Sequence, residues 1–215
     1  GKVEKPLLLK TVESAICKCF ERISGSKNAD IVFELDTHIL VLNFESADGS
    51  LQKFAMDEMS DGYKNTLSMI GDIAYRMAVL NPMLGDKVLE DTSGVVVIDE
   101  IDLHLHPQWQ QTIISDLNTI FPKIQFIVSS HAPAVINSVA REQIRILDNG
   151  EIYMPAAQTY GRDANSILRE VMKVSERPTA IKQRMNLFYS YMDENNYKEA
   201  NNVLTEIEAI VGTTD

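Results

Sequence analysis

Two short apolar runs separated by a helical pattern constrain the fold of this chain more than any other feature. The first run covers residues 95–98 and the second covers residues 124–128. Runs of this length and composition predict strands that are buried on both faces, as strands in parallel sheets usually are. A helical pattern that begins at Pro107 and continues through Ile120 lies between them. The segment therefore predicts a right-handed βαβ unit and places the chain in the α/β class, with a parallel sheet core.

The rest of the chain has the periodicity of helices and of a small antiparallel strand patch. Apolar residues recur every three or four positions in a first helix, in a long central helix that Ser60 is placed to cap, and in a helical tail. Asp148, Asn149 and Gly150 form a hairpin turn signal. The predicted helices cover residues 6–23, 62–80, 134–139 and two segments within 178–211, and the predicted strands cover residues 31–35, 39–44, 51–54, 144–147 and 151–154.

Composition and charge limit the class of function. The 215 residues are 45% hydrophobic and 24% charged, which is typical of a globular protein. The net charge of −11 argues against a surface that binds nucleic acid as a whole. The mixed stretch from Arg162 to Arg184 is the mildest exception, and a solvated helix face explains it equally well. Nucleic acid is therefore a partner that the charge does not support.

The sequence also bears on location and redox state. It contains no apolar run close to the roughly 18 residues of a membrane span and no signal-peptide pattern at its start, so we expect a cytoplasmic protein without a membrane partner. Cys17 and Cys19 lie two positions apart in a predicted helix and point to different faces. We expect both to be reduced thiols with a structural role.

Two carboxylates, Asp99 and Glu100, follow the first apolar run directly. The carboxyl ends of parallel strands are where open α/β sheets bind ligands. In nucleotide hydrolysis, one acid at such an edge holds Mg²⁺ through its water shell, and a second orients the attacking water. Many parallel strands also end in Asp or Glu for capping reasons alone, so the pair by itself leaves both interpretations open.

Two further elements carry groups that suit a phosphate. His131 follows the second run, and its imidazole would reach the edge that carries the two acids if the strands are neighbours. Ser60, Asp61 and Gly62 stand at the start of the long helix, where a hydroxyl, free backbone N–H groups and the helix dipole form an anion site. Helix capping explains each element when it is taken alone.

Taken in order, these elements resemble the second half of an ABC-type nucleotide-binding domain. Residues 59–63 resemble the signature motif, residues 98–100 resemble Walker B with its catalytic Glu, residues 101–107 resemble the D-loop, and residues 129–133 resemble the switch-histidine segment. Within the RecF-like and structural-maintenance-like ATPases, residues 160–168 and the helical tail are similar to those of the Septu and retron-associated ATPases of anti-phage systems.

The resemblance implies a P-loop NTPase fold and a role for each motif. Glu100 and His131 would be catalytic, and Asp99 would hold Mg²⁺ through water. The signature residues would contact ATP in trans across a head-to-tail homodimer, and Asp102 of the D-loop would link the two sites. ATP and Mg²⁺ are the implied cofactors, and a nuclease or another effector is compatible as a partner. Anti-phage defence or DNA maintenance is the implied setting.

The resemblance also divides the chain into three parts. Residues 1–55 would form a helix and an antiparallel strand patch of the ATPase head, residues 56–155 would form the core with the signature helix, Walker B and switch histidine, and residues 156–215 would form a helical extension.

The phosphate-binding loop of such ATPases does not occur in these 215 residues. No Gly-x-x-x-x-Gly-Lys-Ser/Thr pattern is present, and the nearest fragment is Gly25-Ser26-Lys27. The start at Gly1 favours a truncated piece, with a natural split ATPase and a degenerate partner-binding module as the alternatives. We expect ATP hydrolysis by the complete protein and little or none by this chain alone.

Two functions of other classes remain open. The first is a nucleotide-independent scaffold that binds a partner or DNA, with the helical tail as its working surface. The second is a metal-dependent phosphoesterase, whose metal ligands would be Asp99, Glu100, Asp102, His104 and His131.

Overall fold

The computed structural model describes residues 5–212. The first four and the last three residues of the chain, which belong to the first and third predicted parts, lie outside the described residues. The strands are β1 (Lys27–Glu34), β2 (Ile39–Glu45), β3 (Leu51–Ala55), β4 (Gly94–Ile98), β5 (Ile124–Val128), β6 (Ile146–Asp148) and β7 (Glu151–Tyr153). The helices are α1 (Leu7–Ser24), α2 (Asp61–Leu80), α3 (Val88–Asp91), α4 (Pro107–Gln110), α5 (Ile113–Ile120), α6 (Pro133–Ile136), α7 (Ala164–Ser166), α8 (Thr179–Asp193) and α9 (Tyr197–Val211).

The first helix forms where the apolar periodicity predicts it. Its buried side chains include Ala15, Cys19 and Phe20, which lie on one face and pack against α2. Gly25 ends the helix with a φ of 70°, a left-handed conformation that glycine adopts without a steric penalty.

The antiparallel strand patch is also present. β2 is the central strand and pairs with β1 on one side and with β3 on the other. Ile31 of β1 pairs with Leu42 of β2, and both side chains are buried in the same core as α1. This sheet therefore packs against α1 through β1.

The predicted βαβ unit is confirmed, and the chain is a mixed α/β protein. β4 and β5 are parallel neighbours in unbroken register, from Gly94 opposite Ile124 to Ile98 opposite Val128. Side chains alternate across a strand, and Val96 packs against the core from the inner face.

The prediction that these parallel strands are buried on both faces is wrong for residues 5–212. On the outer face, Val95 is 59% exposed, Val97 is 72% exposed and Ile127 is 53% exposed. The apolar run predicted that this outer face is buried. It is exposed because no element between residues 5 and 212 covers it.

The single helix predicted between these strands is also wrong in one detail. The structure has two helices, α4 and α5, which break at Gln111 and Thr112. The backbone N–H of Thr112 donates to the carbonyl of Trp109 at 3.1 Å, and its hydroxyl donates to the same carbonyl at 3.4 Å. A side chain that competes for backbone groups in this way interrupts a helix.

The C-terminal part follows the sequence prediction closely. β6 and β7 form a hairpin whose turn residues, Asn149 and Gly150, both have positive φ, as a tight two-residue turn requires. α8 and α9 pack against each other and break near Asn195. The main buried core extends from Ala15 to Val135 and does not include these two helices. No helix among the described residues is both long and apolar enough to span a membrane.

Candidate nucleotide-binding site

The parallel pairing of β4 and β5 brings their following loops to one edge of the sheet. Ser129, the first residue after β5, lies beside Asp99 and Glu100, the first two residues after β4. The Ser129 hydroxyl donates a short hydrogen bond to the Asp99 carboxylate and accepts the backbone N–H of Glu100 at 2.8 Å. The two acids are thus held by one side chain of the neighbouring strand.

Glu100 has an unusual backbone conformation. Its φ is 50°, in the left-handed region that non-glycine residues rarely adopt. Such a conformation costs about 1–3 kcal/mol and persists only where surrounding contacts hold it. The side chains of Asp99 and Glu100 are both exposed, so this edge of the sheet is open to a ligand.

The D-loop is attached to the segment that carries the switch histidine. The backbone N–H of His131 donates to the Asp102 carboxylate at 3.2 Å. Ile101 and Leu105 are buried on either side and anchor the loop in the core. The Asp102 side chain and the His131 backbone therefore lie together.

The signature residues lie at the start of α2 and pack against the same D-loop. A Cβ atom on Gly62 would lie 2.8 Å from the carbonyl oxygen of His104 and 3.4 Å from the Trp109 ring. The rings of Tyr63 and Trp109 meet edge to face, with centroids 4.3 Å apart. Only glycine allows this close approach of α2 to the D-loop backbone.

The side chain of Ser60 does not make the capping bond that the sequence predicted. Ser60 occupies the position before α2, but its hydroxyl accepts no hydrogen bond from the helix. Ser60 and Asp61 are exposed, and within residues 5–212 no hydrogen bond joins either side chain to Asp99, Glu100 or His131. The structure therefore does not bring the signature side chains and the acids into direct contact within one chain.

The histidines of the D-loop have structural positions. His106 precedes α4, and its Nδ1 accepts the backbone N–H of Gln108 at 3.3 Å. His104 has a φ of 63° and a side chain exposed to solvent. Across residues 5–212, no group of three or more His, Cys, Asp or Glu side chains is arranged to hold a metal ion.

The basic stretch after residue 160 is paired within the chain. Arg162 makes two hydrogen bonds to the Glu170 carboxylate, at 2.7 and 2.8 Å, which lower the pKa of Glu170. Lys173 lies 3.6 Å from Asp148 in the β6–β7 hairpin. Much of this charge is therefore neutralised by neighbouring carboxylates.

Sequence reasoning did not identify the bridging role of Ser129. It treated this serine only as part of the switch-histidine segment. The signal that reveals it is the register of the sheet: Ile98 pairs with Val128, so the next residues of the two strands are side by side. A polar residue at that position in one strand reaches the acid at the same position in the other.

Comparison with known proteins gives several relatives of this chain. It is 42% identical over 124 residues to the "Retron Vc95 probable ATPase" of Vibrio cholerae serotype O1 biovar El Tor, covering 56% of this chain and 24% of that protein. It is 40% identical over 121 residues to the "Retron Ec83 probable ATPase" of Escherichia coli, covering 56% and 22%. It is 36% identical over 96 residues to the "Septu protein PtuA" of Bacillus mycoides (strain KBAB4), covering 45% and 13%. The matched regions thus span about a quarter or less of the length of these three relatives.

Solved structures give a more distant likeness. A structure from work on the ATP-driven dimerization and DNA-stimulated activation of SMC ATPases aligns at a TM-score of 0.45 and 15% identity, covering 76% of this chain and 92% of that one. An Smc head domain from Pyrococcus furiosus aligns at a TM-score of 0.40 and 16% identity, covering 76% and 38%. Likeness at this level carries no functional conclusion.

A match to a protein-family model gives the most direct evidence for the family of this chain. The family described as "AAA domain, putative AbiEii toxin, Type IV TA system" matches residues 18–137. That range is more than half of the chain and contains the start of α2, both parallel strands and His131. The chain belongs to this AAA domain family.

Proposed function

We propose that this chain is part of an ATPase that hydrolyses ATP between two heads arranged head to tail. The observation that carries the proposal is the shared edge of β4 and β5, where Ser129 holds Asp99 and Glu100 while Asp102 holds the His131 segment. Two relatives whose names include "probable ATPase" support the same activity.

Each group at the edge has a chemical task in this proposal. Glu100 orients the attacking water, and the His131 imidazole contacts the γ-phosphate. Asp99 suits a magnesium ion held through water, because its carboxylate is exposed and Mg²⁺ prefers oxygen ligands and keeps several waters. The ion would supply positive charge that offsets the charge on the phosphates.

The signature residues act on the nucleotide of the second head. Ser60 presents an uncommitted hydroxyl at the N-terminus of α2, a 20-residue helix whose dipole favours an anion there. Among residues 5–212, Ser60, Asp61 and Gly62 make no hydrogen bond to Asp99 or Glu100, which supports action across a dimer interface. Because Gly62 packs tightly against the D-loop, a movement of the helix start at one ATP site would also move the D-loop that links it to the other site.

The phosphate-binding loop comes from residues outside this sequence, either on the same polypeptide or on a partner chain. The exposed apolar face formed by Val95, Val97 and Ile127 supports a further lobe that covers the sheet. In the absence of that lobe the chain lacks the backbone nest for the phosphates. We therefore propose that this chain alone binds ATP poorly and does not hydrolyse it.

The three-part division of the chain remains part of the proposal. One continuous core contains residues of the first part, from Ala15 onward, and of the second part, up to Val135, so these two parts would work as one head. The helices α8 and α9 lie outside this core and would form the extension.

One observation favours a second function, a scaffold that binds a partner without nucleotide. The α8–α9 hairpin exposes Leu187, Tyr189 and Tyr197, which suit a protein partner such as a nuclease or another effector. Partner binding that does not respond to ATP would favour this alternative over the ATPase.

The similarity to retron and Septu proteins makes anti-phage defence the biological setting that we propose.

The direct test replaces Glu100 by Gln in the complete ATPase, with its phosphate-binding lobe present. We expect ATP binding to persist and turnover to fall by about 100-fold or more, because the amide cannot accept a proton from water. ATP should then trap the dimer, which size-exclusion chromatography measures. Glu151→Gln, on the exposed β6–β7 hairpin, is the matched control and should keep normal turnover. Normal turnover in Glu100→Gln would contradict the assignment.

A further inference from the structure

Ser129 is hydrogen-bonded along the whole segment that carries Asp99 and Glu100. Its backbone N–H donates to the Ile98 carbonyl at 3.0 Å, and its own carbonyl accepts the N–H of Ile101 at 3.0 Å. Between these two bonds, its hydroxyl donates to Asp99 and accepts the N–H of Glu100 at 2.8 Å. Ser129, which follows β5, is thus hydrogen-bonded to four successive residues, from Ile98 at the end of β4 to Ile101.

The two kinds of bond have separate consequences. The two backbone bonds join Ser129 to Ile98 and to Ile101, and they do not depend on the side chain. The hydroxyl bonds act on the two acids and on nothing else in residues 5–212. Removal of the hydroxyl therefore leaves the strands paired and releases only Asp99 and the Glu100 backbone.

The bond to the Glu100 N–H acts at a residue with an uncommon backbone conformation. Glu100 has a φ of 50°, and its side chain direction follows from this left-handed conformation. The next residue, Ile101, is buried and cannot move with it. A fixed acceptor at the Glu100 N–H therefore holds the backbone from which the Glu100 side chain extends.

The bond to Asp99 acts on the second acid in the same way. The hydroxyl proton occupies one lone pair of Asp99 Oδ1 and leaves the other carboxylate oxygen directed away from it. The orientation of the exposed carboxylate is fixed without burial.

We propose that Ser129 is a positioning residue that sets the orientation of both Asp99 and Glu100. This proposal rests on the proposed ATPase function and names a residue for the same site. Ser129 does not touch nucleotide in this account; it acts through the two acids.

The test measures steady-state ATP hydrolysis by the complete ATPase that carries a substitution at Ser129. For Ser129→Ala we expect kcat to fall about 10- to 100-fold, the usual effect of losing a group that orients catalytic ligands. KM for ATP should stay within about twofold, because the groups that bind ATP are untouched. The Mg²⁺ concentration for half-maximal rate should rise, since Asp99 is no longer held.

A matched pair separates positioning from packing. Ser129→Thr keeps the hydroxyl, and Ser129→Val replaces it with a methyl group of nearly the same shape. We expect Thr to retain most of the wild-type kcat and Val to behave like Ala, while thermal unfolding shows all three to be folded. Ser115→Ala, the same chemical change on the exposed side of α5, should leave kcat and the Mg²⁺ dependence unchanged.

The outcomes separate this inference from the function on which it rests. If Glu100→Gln abolishes turnover and Ser129→Val keeps the wild-type kcat and Mg²⁺ dependence, Ser129 has no positioning role. Equal losses in the Thr and Val variants would also overturn the inference, because the hydroxyl would then be irrelevant. If Glu100→Gln itself hydrolyses ATP normally, the proposed function fails first.

Discussion

Glycine at position 62 is required by a contact. A Cβ atom there would lie 2.8 Å from a backbone oxygen, His104 O, which no change of side-chain rotamer can relieve. We therefore expect Gly62→Ala to lower the free energy of unfolding by about 1–3 kcal/mol, as overpacking does. Helix propensity alone predicts the opposite sign, because alanine is the better helix former. Urea denaturation measures the difference.

Gly94→Ala is the control for that substitution. A Cβ atom on Gly94 would meet only the Ile124 side chain, at an ordinary 3.7 Å. We expect its effect to be within about 0.5 kcal/mol. If Gly62→Ala were as stable as the wild type, the contact between α2 and the D-loop would not be present in solution.

The two cysteine thiols have a predictable pH dependence. Burial is the main cause that raises the pKa of Cys17 and of Cys19 to about 12. The folded protein thus holds protons that the unfolded chain releases near pH 8.5. The protonated thiols therefore contribute to the free energy of unfolding. This contribution is fully present below about pH 8.5 and is lost as the pH rises toward 12.

Thiol labelling checks this expectation. At pH 8, a thiol-specific disulfide reagent should react slowly with both cysteines of the native protein and rapidly after denaturation. Denaturant midpoints measured from pH 8 to pH 11 should fall more for the wild type than for a Cys17→Ala, Cys19→Ala double variant. Rapid labelling of the native protein at pH 8 would contradict the burial of these residues.

At the scale of elements, one ion pair joins α1 to α5. Arg22 contacts the carboxylate of Asp116. Asp116 is only 2% exposed, and among the described residues its Oδ2 atom is buried without a hydrogen-bond partner. Removing the arginine leaves a buried charge uncompensated. We expect Arg22→Met to cost about 2–4 kcal/mol in the free energy of unfolding.

Arg76 provides the comparison for this pair. It forms an exposed ion pair with Asp72 one turn away on α2, at 2.8 Å. Water and salt screen exposed pairs of this kind, which contribute little to stability, so Arg76→Met should change the urea midpoint little. Equal midpoints for the two variants would show that Asp116 reaches solvent or another partner.

Local sequence patterns predicted elements whose causes are local. The apolar period of α1 with its glycine end, the Asn149-Gly150 turn and the break near Asn195 all depend on neighbouring residues. The pairing of Arg22 with Asp116, 94 positions apart, has no local signal. The same holds for the role of Ser129, which depends on the register of two strands that are distant in sequence.

The apolar run at residues 95–98 illustrates a different limit. The pattern predicted a buried strand, and the structure leaves Val95 and Val97 exposed. A sequence pattern reflects the environment in the complete protein, whereas the described residues contain only two parallel strands of that environment. The order of the motifs predicted which residues share an edge, but the contacts that hold Glu100 and Asp102 required the fold.

At the scale of the whole molecule, the chain would form a head that needs two additions. A lobe with the phosphate-binding loop would cover the exposed parallel sheet, and a second head would bring a signature helix to the nucleotide. The first addition accounts for the exposed face of β4 and β5. The second accounts for the uncommitted Ser60 hydroxyl and for its lack of contact with the acids of its own chain.

The central claim is that the signature residues and the acids at each site come from different heads. Ser60→Arg and Glu100→Gln should each abolish turnover of the complete ATPase. Co-expression of the two variants gives mixed dimers in which one site carries both changes and the other site carries neither. About a quarter of the wild-type turnover should return, since half of random dimers are mixed. A co-expressed mixture as inactive as either variant alone, with mixed dimers verified by tagged pull-down, would contradict the account.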